Sequence, residues 1–152
     1  MKTRFFIGVI FFLSIFALGI SGYLIRQHYA PSTGFCLPGI KSNSCDIVNK
    51  SLYSEIFGVP LGLYGVLFFL MIASLSGIFF FEKKINPLGL DHKKLSEYLF
   101  FLLLGGFAFI FYLVYIELFV LYAICIFCTA VHILITIMFF CVWWVRRKVM
   151  RR

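Results

Sequence analysis

The chain has 152 residues, 62% of them apolar and only 13% charged; 21 are Phe, and the mean hydropathy is +1.02. Globular domains run near about 45–50% apolar and about 25% charged, and a unit this small has too little interior to hide such a surplus. A soluble enzyme, a disordered tail and a secreted disulfide knot are excluded. Lipid is the solvent that fits.

The net charge of +8 invites a nucleic-acid reading, but the basic residues close apolar runs instead of forming a stripe, which makes them topology signals. No GxxxxGK phosphate loop is present.

A bilayer core of about 30 Å takes about 20 apolar helical residues. The first such run is Phe5 to Ile25, after Lys2 and Arg4. It exceeds the usual signal-peptide core of about 7–15 residues and no clear small-x-small cleavage site closes it, so an uncleaved helix over 5–25 is expected. Residues 26–56 form a polar loop with Pro31, Gly34, Pro38, Gly39, Asn43 and Ser44. A second helix is expected over 57–81, with Pro60 in its first turn, where a missing N–H costs little. Ser54 and Glu55 would then be its N-cap and first-turn acid.

A charged connector, 82–94, follows. Tyr98 to Val145 is then almost uninterrupted apolar sequence. At 1.5 Å per residue one helix would run about 72 Å, more than twice the hydrocarbon thickness, so the stretch must fold back. The lone acid Glu117 places that reversal between Glu117 and Ala123, giving helices over about 98–118 and 125–145. The expected fold is an all-α membrane bundle of four helices in one domain, 1–152.

With both termini inside, the inner face holds Lys2, Arg4, Lys83, Lys84, Lys93, Lys94, Arg146, Arg147, Lys148, Arg151 and Arg152, leaving Arg26, Lys41 and Lys50 outside. Basic residues favour the cytoplasmic side, which predicts N-in and C-in, with Trp143 and Trp144 at the inner interface.

Cys36 and Cys45 then lie in the outer loop, Cys125 and Cys128 open the fourth helix, and Cys141 sits near its inner end as an apolar filler. At i, i+3 the Cys125-Ile-Phe-Cys128 pair shares one helix face. Unpaired N–H groups at the helix start stabilise a thiolate there. Cys45 stands twelve residues before Phe57, a tether of about 40 Å, so it can reach that pair. Four sulfurs on one oxidising face allow three readings: structural disulfides, a zinc site of four thiolates or thiol-based metal transport, and thiol–disulfide exchange. Exchange alone needs a thiol pair at a wet helix mouth.

His132 lies one turn below Cys128; it is either a neutral ring held by a backbone carbonyl or a contact for a bound cofactor. Glu117 reads as an interfacial acid. Asn49-Lys50-Ser51 matches a glycosylation triplet, a pattern short enough to arise by chance.

Cys36-x8-Cys45, Cys45-Asp46, the run Tyr53-Ser54-Glu55-Ile56-Phe57-Gly58-Val59-Pro60-Leu61, Glu117 and Cys125-Ile-Phe-Cys128 together resemble the vitamin K epoxide reductase family. The likeness is nearest to bacterial members that act in disulfide-bond formation. It implies a bundle holding a quinone (menaquinone, ubiquinone or vitamin K type) near Cys128, in a bacterial plasma membrane. Electrons would come from a separate thioredoxin-like carrier outside the cytoplasm, enter at Cys36, and pass through Cys45 to Cys125 and Cys128. Ser54, Phe57 and His132 are the implied quinone-binding positions. Some bacterial relatives carry a fused thioredoxin-like domain, which is not expected after Arg152. Vertebrate members have Tyr where this chain has His132. Reduction of vitamin K or its epoxide would use the same thiols.

Overall fold

The computed structural model describes residues 2–31, 44–81 and 92–151. Cys36 and the connector residues 82–91 lie outside them. Four helices are long and apolar enough to cross a membrane: Thr3–Tyr29, Leu61–Phe80, Lys93–Val120 and Ile126–Met150. They belong to α1 (Lys2–Tyr29), α3 (Leu61–Phe81), α4 (His92–Tyr115, continued by a π-helical turn, Ile116–Val120) and α5 (Ile126–Met150). A short α2 (Ser44–Asn49), a 3-10 turn (Leu52–Ser54) and the two-residue strands β1 (Glu55–Ile56) and β2 (Val59–Pro60) fill the segment before α3.

The helices outrun the apolar stretches that predict them. α1 continues past Ile25 to Tyr29, because nothing in Arg26-Gln27-His28 breaks a helix and Gln27 Nε2 donates back to Tyr23 Oη at 2.6 Å. α4 begins at His92 rather than Tyr98, and α5 runs on to Met150 rather than stopping at Val145. Long basic side chains carry their charge to water while their stems stay on the helix. Three pack on rings: the Arg146 guanidinium lies 4.4 Å from the Phe100 ring centre, that of Arg147 3.8 Å from Trp143, and Lys148 Nζ 4.4 Å from Trp144. The chain reverses through Leu121–Cys125, overlapping the expected Glu117–Ala123, with Tyr122 at φ 48°.

One boundary needs correction. The second spanning helix starts at Leu61, not Phe57, and the loop expected over 26–56 holds helical pieces at both ends. Glu55 pairs with Pro60 and Ile56 with Val59 in an antiparallel hairpin. Its two central residues, Phe57 and Gly58, have φ of 55° and 75°, as a tight hairpin turn requires. Gly58 takes that conformation freely. Ile-Phe-Gly-Val reads as helix only because it is apolar. Ser54 and Glu55 are not a helix cap either: Ser54 Oγ donates to Ser51 O at 2.7 Å, and Glu55 faces His28.

Helix packing follows side-chain size. α1 lies along α3 and α5, α4 lies along α5, and α3 meets α4 over a shorter stretch. A Cβ on Gly62 would stand 2.8 Å from Ile25 Cγ1 and 3.1 Å from Ser21 O, so glycine lets α3 close on α1, as small residues do in membrane bundles. Buried Ser14 and Ser76 return their hydroxyls to their own helices, bonding Phe11 O at 2.7 Å and Ile72 O at 2.6 Å. α4 and α5 are joined by the Phe107–Phe139 stack, 4.7 Å between ring centres and 6° between planes. This core fills the end of the bundle that carries the basic clusters. Where α3 and α4 diverge towards the cysteine end, a cavity opens.

Candidate active site: a thiol pair at the mouth of an apolar cavity

α2 and the hairpin are tied to the end of α1 by polar groups. Asn49 Nδ2 donates to Leu24 O at 2.9 Å, and Lys50 Nζ to Ala30 O at 2.7 Å. His28 Nδ1 lies 2.6 Å from Asn49 O and Nε2 3.0 Å from Glu55 Oε1. The ring thus bridges α2 and the hairpin. This segment is thereby held to the end of α1.

Beneath it lies a cavity of about 540 Å³, within the size range of small-molecule sites. Its walls are chiefly apolar: Phe68 and Phe69 from α3, Phe109 and Ile110 from α4, Ile135 from α5. Polar groups gather near the cysteine end, where Ser54, Glu117, Cys128 and His132 line it. This lining fits a flat apolar ring carrying a few hydrogen-bonding atoms, which is the chemistry of a quinone.

Of the CxxC pair, Cys128 lines the cavity and Cys125 does not. Cys125 is the N-cap of α5, and its Sγ accepts from Cys128 N–H at 3.3 Å. It is fully buried, in a cluster with Val48 of α2 and Ala123. Cys45 and Cys128 both pack against that cluster, so Cys128, one turn on, stands between it and the cavity. A hydrogen bond from the Cys128 thiol holds Cys125 below the ordinary thiol range, against the opposing effect of burial, and backbone N–H groups of the helix start add to it. Cys125, Cys128 and Cys141 are free thiols, whereas Cys45 is disulfide-bonded.

The remaining residues singled out from the sequence divide. His132 is 8% exposed and lines the cavity, and its ring makes no hydrogen bond among the described residues. Ser54 also lines the cavity, but its hydroxyl hydrogen is committed to Ser51 O, which leaves it only as an acceptor. Phe57, at the hairpin tip, is 98% exposed and not part of the lining. Among the described residues no group of three or more His, Cys, Asp or Glu stands together as a metal site.

Glu117 is the residue that sequence reasoning undervalued. Expected at the interface, it is buried and lines the cavity together with Cys128. The signal was present: it is the lone acid in the long apolar stretch, and intramembrane acids are rare enough to imply a task.

The chain matches the vitamin K epoxide reductase family over residues 8–143. That range takes in Cys45, the hairpin, the CxxC pair and nearly all of the four spanning helices. No curated protein matches it. A family match over most of the chain, four membrane-crossing helices and a thiol pair at a cavity agree, and the protein belongs to the vitamin K epoxide reductase family, as an integral membrane oxidoreductase acting on thiols.

Proposed function

We propose that this protein re-oxidises a thioredoxin-like disulfide carrier outside the cytoplasm of a bacterial cell and passes the electrons to a membrane quinone. The observation that carries this reading is the division of labour within the CxxC: Cys128 faces the apolar cavity, while Cys125 faces the Cys45 side. A relay needs one sulfur for each substrate. The basic residues at the opposite end favour N-in and C-in, which puts the thiols outside.

In this reading the carrier's thiolate attacks the loop disulfide at Cys36 and releases Cys45 as a thiolate. Cys45 attacks an oxidised CxxC at Cys125, which belongs to the cluster Cys45 packs against, and Cys128 leaves. Cys36, freed by the carrier's second thiol, then attacks Cys45, which restores the loop disulfide and leaves Cys125 and Cys128 reduced. A bonded Cys45 beside a reduced CxxC matches this stage. The lowered basicity of Cys125 makes it a good leaving group in that last exchange. The quinone supplies a two-electron sink, with about 1.4 kcal/mol per 30 mV of potential difference driving the relay one way. The cavity walls exclude water and orient the ring, and His132 offers a ring nitrogen for one of its oxygens.

The test uses purified protein, reduced carrier and a soluble quinone. Cys128→Ser is expected to abolish quinone reduction with any electron donor. Cys36→Ser is expected to block entry from the protein carrier but not from a small dithiol. Full activity of both variants with reduced carrier would remove the relay.

A further inference from the structure

Among the described residues, Glu117 is the one buried acid, and the relay leaves it without a task. It is 6% exposed and stands in the π-helical turn that ends the third spanning helix. Turns of this kind gather at functional sites, because the extra residue re-aims the side chains around it. Here Leu121 N–H reaches back five residues to Ile116 O at 2.9 Å, and Glu117 faces the cavity. It lines that cavity together with Cys128, whose backbone N–H reaches the Cys125 sulfur at 3.3 Å. Carboxyl and thiol thus share one largely apolar chamber.

A thiol carries one proton, so Cys128 gives it either to the Cys125 sulfur or to the Glu117 carboxylate. Among the described residues no Lys or Arg pairs with Glu117. The titratable groups around it are Cys125, Cys128 and His132 on the α5 side, and Tyr53 and Tyr64 in the cavity wall.

We propose that Glu117 is a catalytic proton carrier, taking the Cys128 proton as that sulfur reacts and handing it to the reduced acceptor. The idea rests on the quinone reading above and adds the proton path to it. The S–H bond of Cys128 breaks, the proton goes to a Glu117 carboxylate oxygen, and the sulfur keeps the electron pair. The Cys125–Cys128 bond then forms and two electrons leave to the quinone. Two protons end on the hydroquinone, one from Glu117 and one from water at the mouth, and Cys125 releases its own proton to that water.

Redox-difference infrared spectra of quinone-free protein read the carboxyl directly. As a chemical oxidant closes the CxxC, a carboxylic acid C=O band is expected to rise in the wild type, vanish in Glu117→Gln and move in Glu117→Asp. In turnover, Glu117→Gln is expected to lower kcat about a hundredfold, with KM for quinone within twofold and exchange between Cys45 and the CxxC unchanged. Glu117→Asp, which keeps a carboxylate, should recover part of the rate. Wild-type kcat in Glu117→Gln, or identical infrared spectra for the two proteins, overturns the proposal. A wild-type protein that reduces no quinone defeats the functional reading instead, and the infrared comparison then decides the proton role alone.

Discussion

The two ends of the bundle are built from different materials. At the basic end, large side chains such as Ile7, Leu95, Leu99, Val142 and Val145 are buried almost completely, rings stack, and the described residues are helical. At the cysteine end, four short elements follow one another, polar groups bridge α1 to α2 and the hairpin, and a cavity stays open. Irregular backbone survives beside a membrane only where protein or water satisfies its N–H and C=O groups. Here the side chains of His28, Asn49 and Lys50 do part of that. Stability and chemistry are therefore separable, one at each end, and single substitutions should divide them.

The largest effect is expected where the cavity can be filled at no cost to packing. Gly105 lines it, and a Cβ there would meet nothing within 4 Å. Gly105→Trp should depress quinone turnover at least about a hundredfold, equivalent to about 2.7 kcal/mol, with the thermal midpoint preserved; a folded variant with normal turnover would mean that the acceptor binds elsewhere. At the other end, Leu99→Ala should cost about 2–4 kcal/mol of stability, read by denaturant or thermal melts, while activity per folded molecule stays the same. Loss of activity without loss of stability there would erase the distinction between the ends.

Smaller changes sharpen it. His132→Ala should raise KM for quinone about tenfold, about 1.4 kcal/mol, and leave thiol–disulfide exchange intact. An unchanged KM would make the ring a packing element. The depressed basicity of Cys125 predicts that its thiolate, followed by ultraviolet absorbance in reduced protein, persists to lower pH than an ordinary thiol's. Cys128→Ala removes the donor chiefly responsible, so the midpoint should move up. A downward or absent move would show that the hydrogen bond is not the cause. Least of all, Phe57→Ala should change KM for quinone by less than about twofold, below about 0.4 kcal/mol, because that ring is exposed. A larger rise would mean that the hairpin tip folds over the mouth.

Much of this was legible beforehand. Apolar run lengths settle the four spans, because each must satisfy its own backbone in lipid, and the CxxC spacing puts both sulfurs at the start of one helix. The helix ends were not legible, since polar residues such as Lys93 and Arg147 extend a helix beyond the bilayer without any apolar signal. Nor was the hairpin at Glu55–Pro60: its residues are as apolar as the helix they precede, and only strand pairing and two positive φ angles distinguish them.

Composition and spacing by themselves determined that this chain lives in lipid, crosses it four times and opens its last span with a CxxC pair. Which cysteine of that pair meets the cavity was decided by packing alone: Val48 of α2, Ala123 and Cys125 form one buried cluster, the π-turn ends α4 with Glu117 in the cavity wall, and α3 parts from α4. These are relations between residues far apart in the chain. A periodic pattern reports which face of a helix is apolar, but it carries no record of the neighbour that face will meet.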